Sequence, residues 1–163
     1  MNRTYLDALQ LGMVAGMRSM MAPAFISHKL AQFHPTLPAS SKLGFLTSPT
    51  TARVLKLLAG GELLGDKVPG APDRTVAPQF AGRVLAGAMS GAAFSKAEGQ
   101  SVSYGALVGG VGAVVGTLFF FHARQWLTHE QKLPDSVVAI AEDAIAIGTS
   151  WQIMKQLPAP QTT

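Results

Sequence analysis

Apolar residues dominate five segments of the chain, and short polar connections separate them. The segments cover residues 5–30, 51–67, 78–95, 102–126 and 136–155. No Asp, Glu, Lys or Arg occurs between Gly99 and Ala123, a run that contains most of the fourth segment. A bilayer core about 30 Å thick needs about 20 such residues in a helix. The pattern predicts transmembrane helices, and the fourth segment is the clearest span.

Prolines interrupt the apolar pattern and predict where helices end. Pro23 lies inside the first segment. A proline in a helix removes a backbone donor and clashes with the preceding turn, so we expect a kink or break near Met20. Pro69 and Pro72 follow the second segment and end it. Residues 156–163 are expected to form a flexible tail.

Glycines recur at helical spacing in four of the segments. The fourth segment carries a stripe of them, and three other segments carry pairs: Gly105, Gly109, Gly112 and Gly116, with Gly12/Gly16, Gly61/Gly65 and Gly87/Gly91. Glycine lets helix backbones approach closely in lipid, where no hydrophobic force drives helices together. We therefore expect a compact, glycine-packed bundle of four or five spans, whose remaining glycines could contact a second copy in a homo-oligomer.

Composition agrees with a membrane setting. The chain is 48% hydrophobic and 13% charged, whereas soluble domains carry about 25% charged residues. The net charge is +4, but the Lys and Arg residues are scattered singly near segment ends. This placement favours lipid headgroups as their partners and argues against nucleic acid.

Five charged residues lie deep in the apolar segments: Arg18, Glu62, Asp66, Glu142 and Asp143. A lone ionised group at the bilayer centre costs about 3 kcal/mol on insertion scales, so these side chains should meet one another, a cavity or a ligand. In one interpretation the carboxylates bind a cation or proton and Arg18 balances them or holds an anionic substrate. In the other, Arg18 pairs with one carboxylate to fix helix register. Both interpretations stay open.

The connection after the second segment carries Lys67, Asp73 and Arg74. We interpret these residues as part of an interfacial loop. A membrane enzyme acting on a lipid phosphate near Asp73, Arg74 and Arg83 is a third hypothesis. The sequence offers no convincing catalytic pattern, no cofactor motif and no metal-ligand spacing among its His residues, and it contains no Cys.

Two short similarities suggest an internal repeat. Residues 55–66 resemble residues 135–146, and residues 11–16 resemble residues 104–109. In a five-span arrangement the two halves would have opposite membrane orientations, as in transporters with inverted repeats.

The motifs "AGMRSMMAPA", "GELLGDKVPGAPDRT", "GRVLAGAMSGAAF" and "VVAIAEDAIAIG" resemble those of a bacterial family of small membrane proteins catalogued only as a domain of unknown function. The resemblance implies a bacterial multi-span membrane protein with no established activity, and we expect the bacterial inner membrane as its location. We expect an all-α integral membrane protein. The leading hypothesis is a transporter or channel-like protein for a small solute or ion, and the alternative is a structural or accessory protein whose buried charges fix helix packing.

Overall fold

The computed structural model describes residues 3–32, 42–65 and 76–157, which form helices and no strands. The six α-helices are α1 (Arg3–Met17), α2 (Met21–Gln32), α3 (Pro49–Gly65), α4 (Ala77–Ala97), α5 (Val102–Gln125) and α6 (Asp135–Gln156). A short 3₁₀ turn, Gly44–Thr47, precedes α3, and a π-helical turn, Trp126–Glu130, extends α5. The all-helical class expected from the sequence is confirmed for these residues.

Helices α1, α4 and α5 form one group, packed through glycine. The glycines at their contacts are Gly12, Gly16, Gly87, Gly91, Gly105, Gly109, Gly112 and Gly116. A Cβ atom added at any of them would lie closer than 3.0 Å to an atom of a neighbouring helix. The helices approach one another this closely because these positions carry no side chain.

Helices α1 and α5 run parallel. Gly12 packs against Gly109, and one turn further along α1 Gly16 packs against Ala113 and Gly116, which lie about one and two turns further along α5. An inverted repeat would make the first and fourth segments antiparallel, so that expectation is wrong. Both helices carry glycines at the same spacing because they pack against each other. This shared contact accounts for the similarity between residues 11–16 and residues 104–109.

Helix α4 is antiparallel to α5. Gly87 faces Gly109, whereas Gly91, further along α4, faces Gly105, which lies earlier in α5. The turn between the two helices contains Gly99, whose φ of 67° lies in the left-handed region that glycine adopts without steric cost. This tight connection places α4 and α5 side by side.

Helices α2, α3 and α6 form the second group. Helix α3 is antiparallel to α2, since Glu62 contacts Ser19 at the start of α2 and Lys56 shares a cavity with His28 near its end. Helix α6 packs against both α2 and α1, and it contributes Ile153 to the core.

The second group is not packed through glycine at Gly61. A Cβ atom at Gly60 or Gly61 would meet nothing within 4 Å. The Gly61/Gly65 spacing therefore does not mark a close contact of Gly61 with another helix of this chain, and a contact of Gly61 with a second copy stays a prediction. Spacing alone cannot show which face of a helix meets a neighbour.

The first hydrophobic segment contains two helices. Helix α1 ends at Met17 and α2 begins at Met21, so the break expected near Met20 is present. Pro23 lies in the first turn of α2, where its missing N–H has no helical partner to lose. Residues 18–20 connect the two helices.

Within the described ranges, two helices are long and apolar enough to cross a membrane: α5 with its π turn, Val102–Glu130, and α6. Helices α1, α2 and α3 have 15, 12 and 17 residues, fewer than the approximately 20 that a span requires. Four or five spans thus stay a prediction. Residues 158–163 of the expected tail lie outside the described ranges.

Candidate functional site

The break between α1 and α2 exposes backbone groups that have no partner within either helix. At the end of α1, Arg83 donates from Nη1 to the carbonyl oxygens of Gly16 and Met17, at 2.8 and 2.7 Å. The Thr117 hydroxyl donates to the Gly16 carbonyl at 3.3 Å. The carbonyl end of a helix carries partial negative charge, so a guanidinium is favourable there. Arg83, on α4, therefore caps α1.

The start of α2 is capped by Glu62 of α3. Its Oε1 accepts from the Ser19 N–H at 2.8 Å and from the Ser19 hydroxyl at 3.0 Å. Its Oε2 accepts from the Met20 N–H at 2.9 Å. The N–H end of a helix carries partial positive charge, which favours a carboxylate. Glu62 thus satisfies the first free donors before α2.

The two caps touch each other. Nη2 of Arg83 lies 3.6 Å from Oε1 of Glu62. Arg83 is only 4% exposed, and the Glu62 side chain is largely buried. Because water is largely excluded from this pair, its attraction is stronger than that of a surface ion pair. One ion pair therefore joins the end of α1 to the start of α2.

Arg18, inside the break, pairs with Asp143 of α6. The Nε and Nη2 atoms of Arg18 lie 2.8 and 2.7 Å from Oδ1 of Asp143. Arg18 is 1% exposed. A charge this deeply buried is costly unless it is paired. The pair attaches the break to α6.

Arg124, near the end of α5, holds the first half of α6. It forms two parallel hydrogen bonds with the Asp135 carboxylate, Nε to Oδ1 at 2.8 Å and Nη2 to Oδ2 at 2.7 Å. Its Nη1 also lies 3.4 Å from Oε2 of Glu142, which is 4% exposed. Arg124 thus connects an exposed carboxylate to a buried one.

We call this cluster of buried and half-buried charges the charged junction. Its members are Arg18, Glu62, Arg83, Arg124, Glu142 and Asp143. Its guanidinium and carboxylate groups form three ion pairs, each made of one arginine and one acidic residue, and it lies where the two helix groups meet. Its guanidinium and helix N–H groups can bind an anion, and its carboxylates can take up a proton.

The structure places four of the five predicted site residues in the junction. Arg18 and Asp143 are in contact, whereas Glu62 and Glu142 bind different arginines. Asp66, the fifth, lies outside the described residues. The predicted loop residues Lys67, Asp73 and Arg74 also lie outside them, so the part of the lipid-phosphate hypothesis that rests on Asp73 and Arg74 stays untested. Its third residue, Arg83, is buried and donates to helix carbonyl groups, so the expectation that Arg83 lies near headgroups is wrong.

Sequence reasoning missed Arg83 and Arg124 as members of the site. Each carried a signal. Arg83 is the only charged residue between Val76 and Ser95, and Arg124 ends the long uncharged run of α5. Both were interpreted as residues near segment ends, because their partners lie on helices distant in sequence.

Within the three described ranges, no group of three or more His, Asp or Glu side chains has an arrangement that could hold a metal ion.

The profile of the family described as "Domain of unknown function (DUF4126)" matches residues 6–159. The chain belongs to this family, which confirms the resemblance drawn from its motifs to a family of unknown function. No curated protein and no solved structure matches the chain. The family description states no activity, so function is inferred from the site itself.

Proposed function

We propose that this chain is a multi-pass protein of the bacterial inner membrane and that it moves a small solute or an ion through the charged junction. The membrane part of the proposal is supported by the distribution of side-chain sizes. Glycine and alanine fill the contacts of the first helix group, while Leu57, Leu85 and Leu107 are 75%, 70% and 61% exposed. Extensive exposed apolar surface is unfavourable in water, but a small-residue interior with an apolar exterior suits lipid.

The proposal of transport is supported by the break between α1 and α2 in the first hydrophobic segment. Backbone outside a helix is tolerated at membrane depth only where protein or a water-filled cavity surrounds it. Several transporters bind substrate and coupling ions at the ends of such discontinuous helices. Here the end of α1 meets Arg83 and the start of α2 meets Glu62. Charged side chains thus occupy both helix ends that could bind an ion.

Glu62 is the residue through which we expect binding to be controlled. Its carboxylate occupies the N–H groups of Ser19 and Met20 and lies beside Arg83. A proton on Glu62 would remove its attraction to Arg83 and to the positive end of α2. The N–H groups and the guanidinium would then be free to hold an anionic group of a solute. This arrangement would couple proton uptake to anion binding.

A flux measurement on reconstituted protein tests the proposal. Vesicles loaded with the pH-sensitive dye pyranine would receive external succinate, chloride or potassium under an inward proton gradient. We expect the protein to accelerate acidification with at least one of these probes. Glu62→Gln should abolish the acceleration, whereas the exposed control Glu130→Gln should retain it. Equal rates in wild-type and protein-free vesicles for every probe would overturn transport, and full activity of Glu62→Gln would remove the junction from it.

The pairing of the junction charges also favours a second candidate, a structural or accessory membrane protein. Each junction carboxylate accepts from a guanidinium or a helix N–H, so the charges alone could hold the helices in register. This function predicts that Arg18→Met lowers the free energy of unfolding by about 3–5 kcal/mol, because Asp143 is left buried without Arg18. Adding Asp143→Leu should restore much of the loss. That result without measurable flux would favour the accessory function.

A further inference from the structure

An apolar groove lies between α2, α3 and α6, on the second helix group. It encloses about 340 Å³, within the range of about 300–1,000 Å³ that small-molecule sites occupy. Its walls are formed by apolar side chains from all three helices, among them Met21, Ala24, Phe25, Leu63 and Ile147. None of these residues belongs to the charged junction.

One end of the groove is basic. Lys56 on α3 and His28 on α2 line it together with the apolar wall. A smaller cavity of about 190 Å³ shares His28 and adds Lys29 and Lys155. No acidic side chain lines either cavity among the described residues. The charge is therefore positive at one end, and the remainder of the groove is apolar.

The helix geometry gives the groove a direction. Lys56, Gly60 and Leu63 are spaced four and three residues apart, so they share one face of α3. Leu63 follows Glu62, which contacts the start of α2, while Lys56 lies beside His28 near the end of α2. The groove thus extends from a basic mouth toward the junction.

We propose that this groove binds one acyl chain of an anionic phospholipid, with the lipid phosphate at Lys56 and His28. An acyl chain matches the apolar walls, and a phosphate matches a mouth that carries only basic charge. Cations near a membrane surface attract anionic headgroups by about 1 kcal/mol each, which gives a preference over zwitterionic lipids. The proposal depends on contact with lipid but not on transport through the junction.

Native mass spectrometry of the full chain in detergent, with equimolar phosphatidylglycerol and phosphatidylcholine carrying the same acyl chains, tests the headgroup part. We expect wild-type protein to retain phosphatidylglycerol preferentially. Lys56→Gln should weaken phosphatidylglycerol binding about fivefold, the factor that corresponds to about 1 kcal/mol. Arg53→Gln is the matched control, because Arg53 lies one turn earlier on α3 and does not line the groove. Equal retention of the two lipids, or equal weakening by both variants, would overturn the proposal.

Adjacent glycines supply a matched test of the acyl-chain part. A side chain at Gly60 would enter the groove, whereas Gly61 is exposed and does not line it, and neither position has an atom within 4 Å of an added Cβ. Gly60→Leu should therefore remove binding of both lipids, while Gly61→Leu should bind as wild type does. Unchanged binding by Gly60→Leu would overturn the proposal. Thermal stabilisation by inorganic phosphate equal to that by phosphatidylglycerol would also overturn it, in favour of a free-anion site.

Discussion

At the scale of single residues, charged side chains bind the backbone groups that would be hydrogen-bonded to each other in an unbroken helix. Arg83 donates hydrogen bonds to two carbonyl groups at the end of α1, and Glu62 accepts hydrogen bonds from two N–H groups before α2. A helix cap contributes about 0.5–2 kcal/mol. The two caps therefore offset much of the cost of interrupting the helix.

One carboxyl oxygen, Oε1 of Glu98, is buried without a hydrogen bond from another described residue. Glu98 lies in the turn between α4 and α5. Burial raises the pKa of the Glu98 carboxyl above its ordinary value of 4.5, and the negative charge of Asp7 raises the pKa further. The native protein thus binds this proton more tightly than the unfolded chain does.

From this pKa shift we predict a pH-dependent effect of Glu98→Gln. The stability associated with a raised carboxyl pKa is fully present below the unfolded pKa and is lost as pH rises through the native pKa. Replacing Glu98 by neutral glutamine should therefore raise the melting temperature at about pH 7 and change it little at about pH 4. Thermal unfolding in detergent at both pH values measures this, with Glu130→Gln as an exposed control. A gain of the same size at both pH values would contradict the assignment.

At the scale of elements, glycine determines how closely α1, α4 and α5 approach. Gly87 illustrates the constraint, because a Cβ atom there would lie 2.7 Å from both the Ala113 Cβ and the Gly109 carbonyl oxygen. Neither atom belongs to a flexible side chain. The helices themselves would have to move to accommodate even a methyl group.

We predict that Gly87→Ala destabilises the protein by about 1–3 kcal/mol, the usual cost of overpacking. Gly82 lies on the same helix and has open space around an added Cβ. Gly82→Ala should be neutral or stabilise the helix by up to about 1 kcal/mol, since alanine has the higher helix propensity. Unfolding by denaturant measures both variants. Equal stability of the two would show that the α4–α5 contact is looser than described.

At the scale of the whole molecule, the charged junction connects the glycine-packed group of α1, α4 and α5 to the group of α2, α3 and α6. Arg83 from the first group contacts Glu62 from the second, and Arg124 on α5 contacts Glu142 on α6. The break in the first hydrophobic segment is the covalent connection at the same place. A substitution in the charged junction should therefore weaken the contacts between the two helix groups more than the packing of helices within either group.

Hydrogen exchange can test this coupling. Glu62→Gln leaves only one amide oxygen to accept from the Ser19 and Met20 N–H groups, both of which Glu62 now binds. We expect amide exchange to accelerate at least about tenfold in a peptide covering residues 18–24, because one hydrogen bond to a charged group contributes about 1.5–3 kcal/mol. Exchange in residues 105–117 of α5 should remain at the wild-type rate. Faster exchange in both peptides would instead show that the two groups open as one unit.

The order of apolar residues, charges and prolines was sufficient to predict the helical class, the approximate extent of each hydrophobic segment and the break near Met20. These features follow from local causes: the density of apolar residues, the absence of charge and the rigid ring of Pro23. The glycine spacing also identified the positions at which α1, α4 and α5 meet. In that case the local pattern and the tertiary contact have the same physical origin, the need for close backbone approach.

Which charged side chains pair with each other could not be predicted, because the pairing depends on how the helices pack. Arg18 and Asp143 are 125 residues apart in the chain, and no local pattern specifies that they pair. The roles of Arg83 and Arg124 likewise depend on helices that the chain brings together from a distance. The directions of the helices were also decided at this level, since α1 and α5 are parallel and no inverted repeat relates them. Hydrophobic and proline patterns act over one or two helical turns, whereas ion pairs across helices depend on how all the helices pack together.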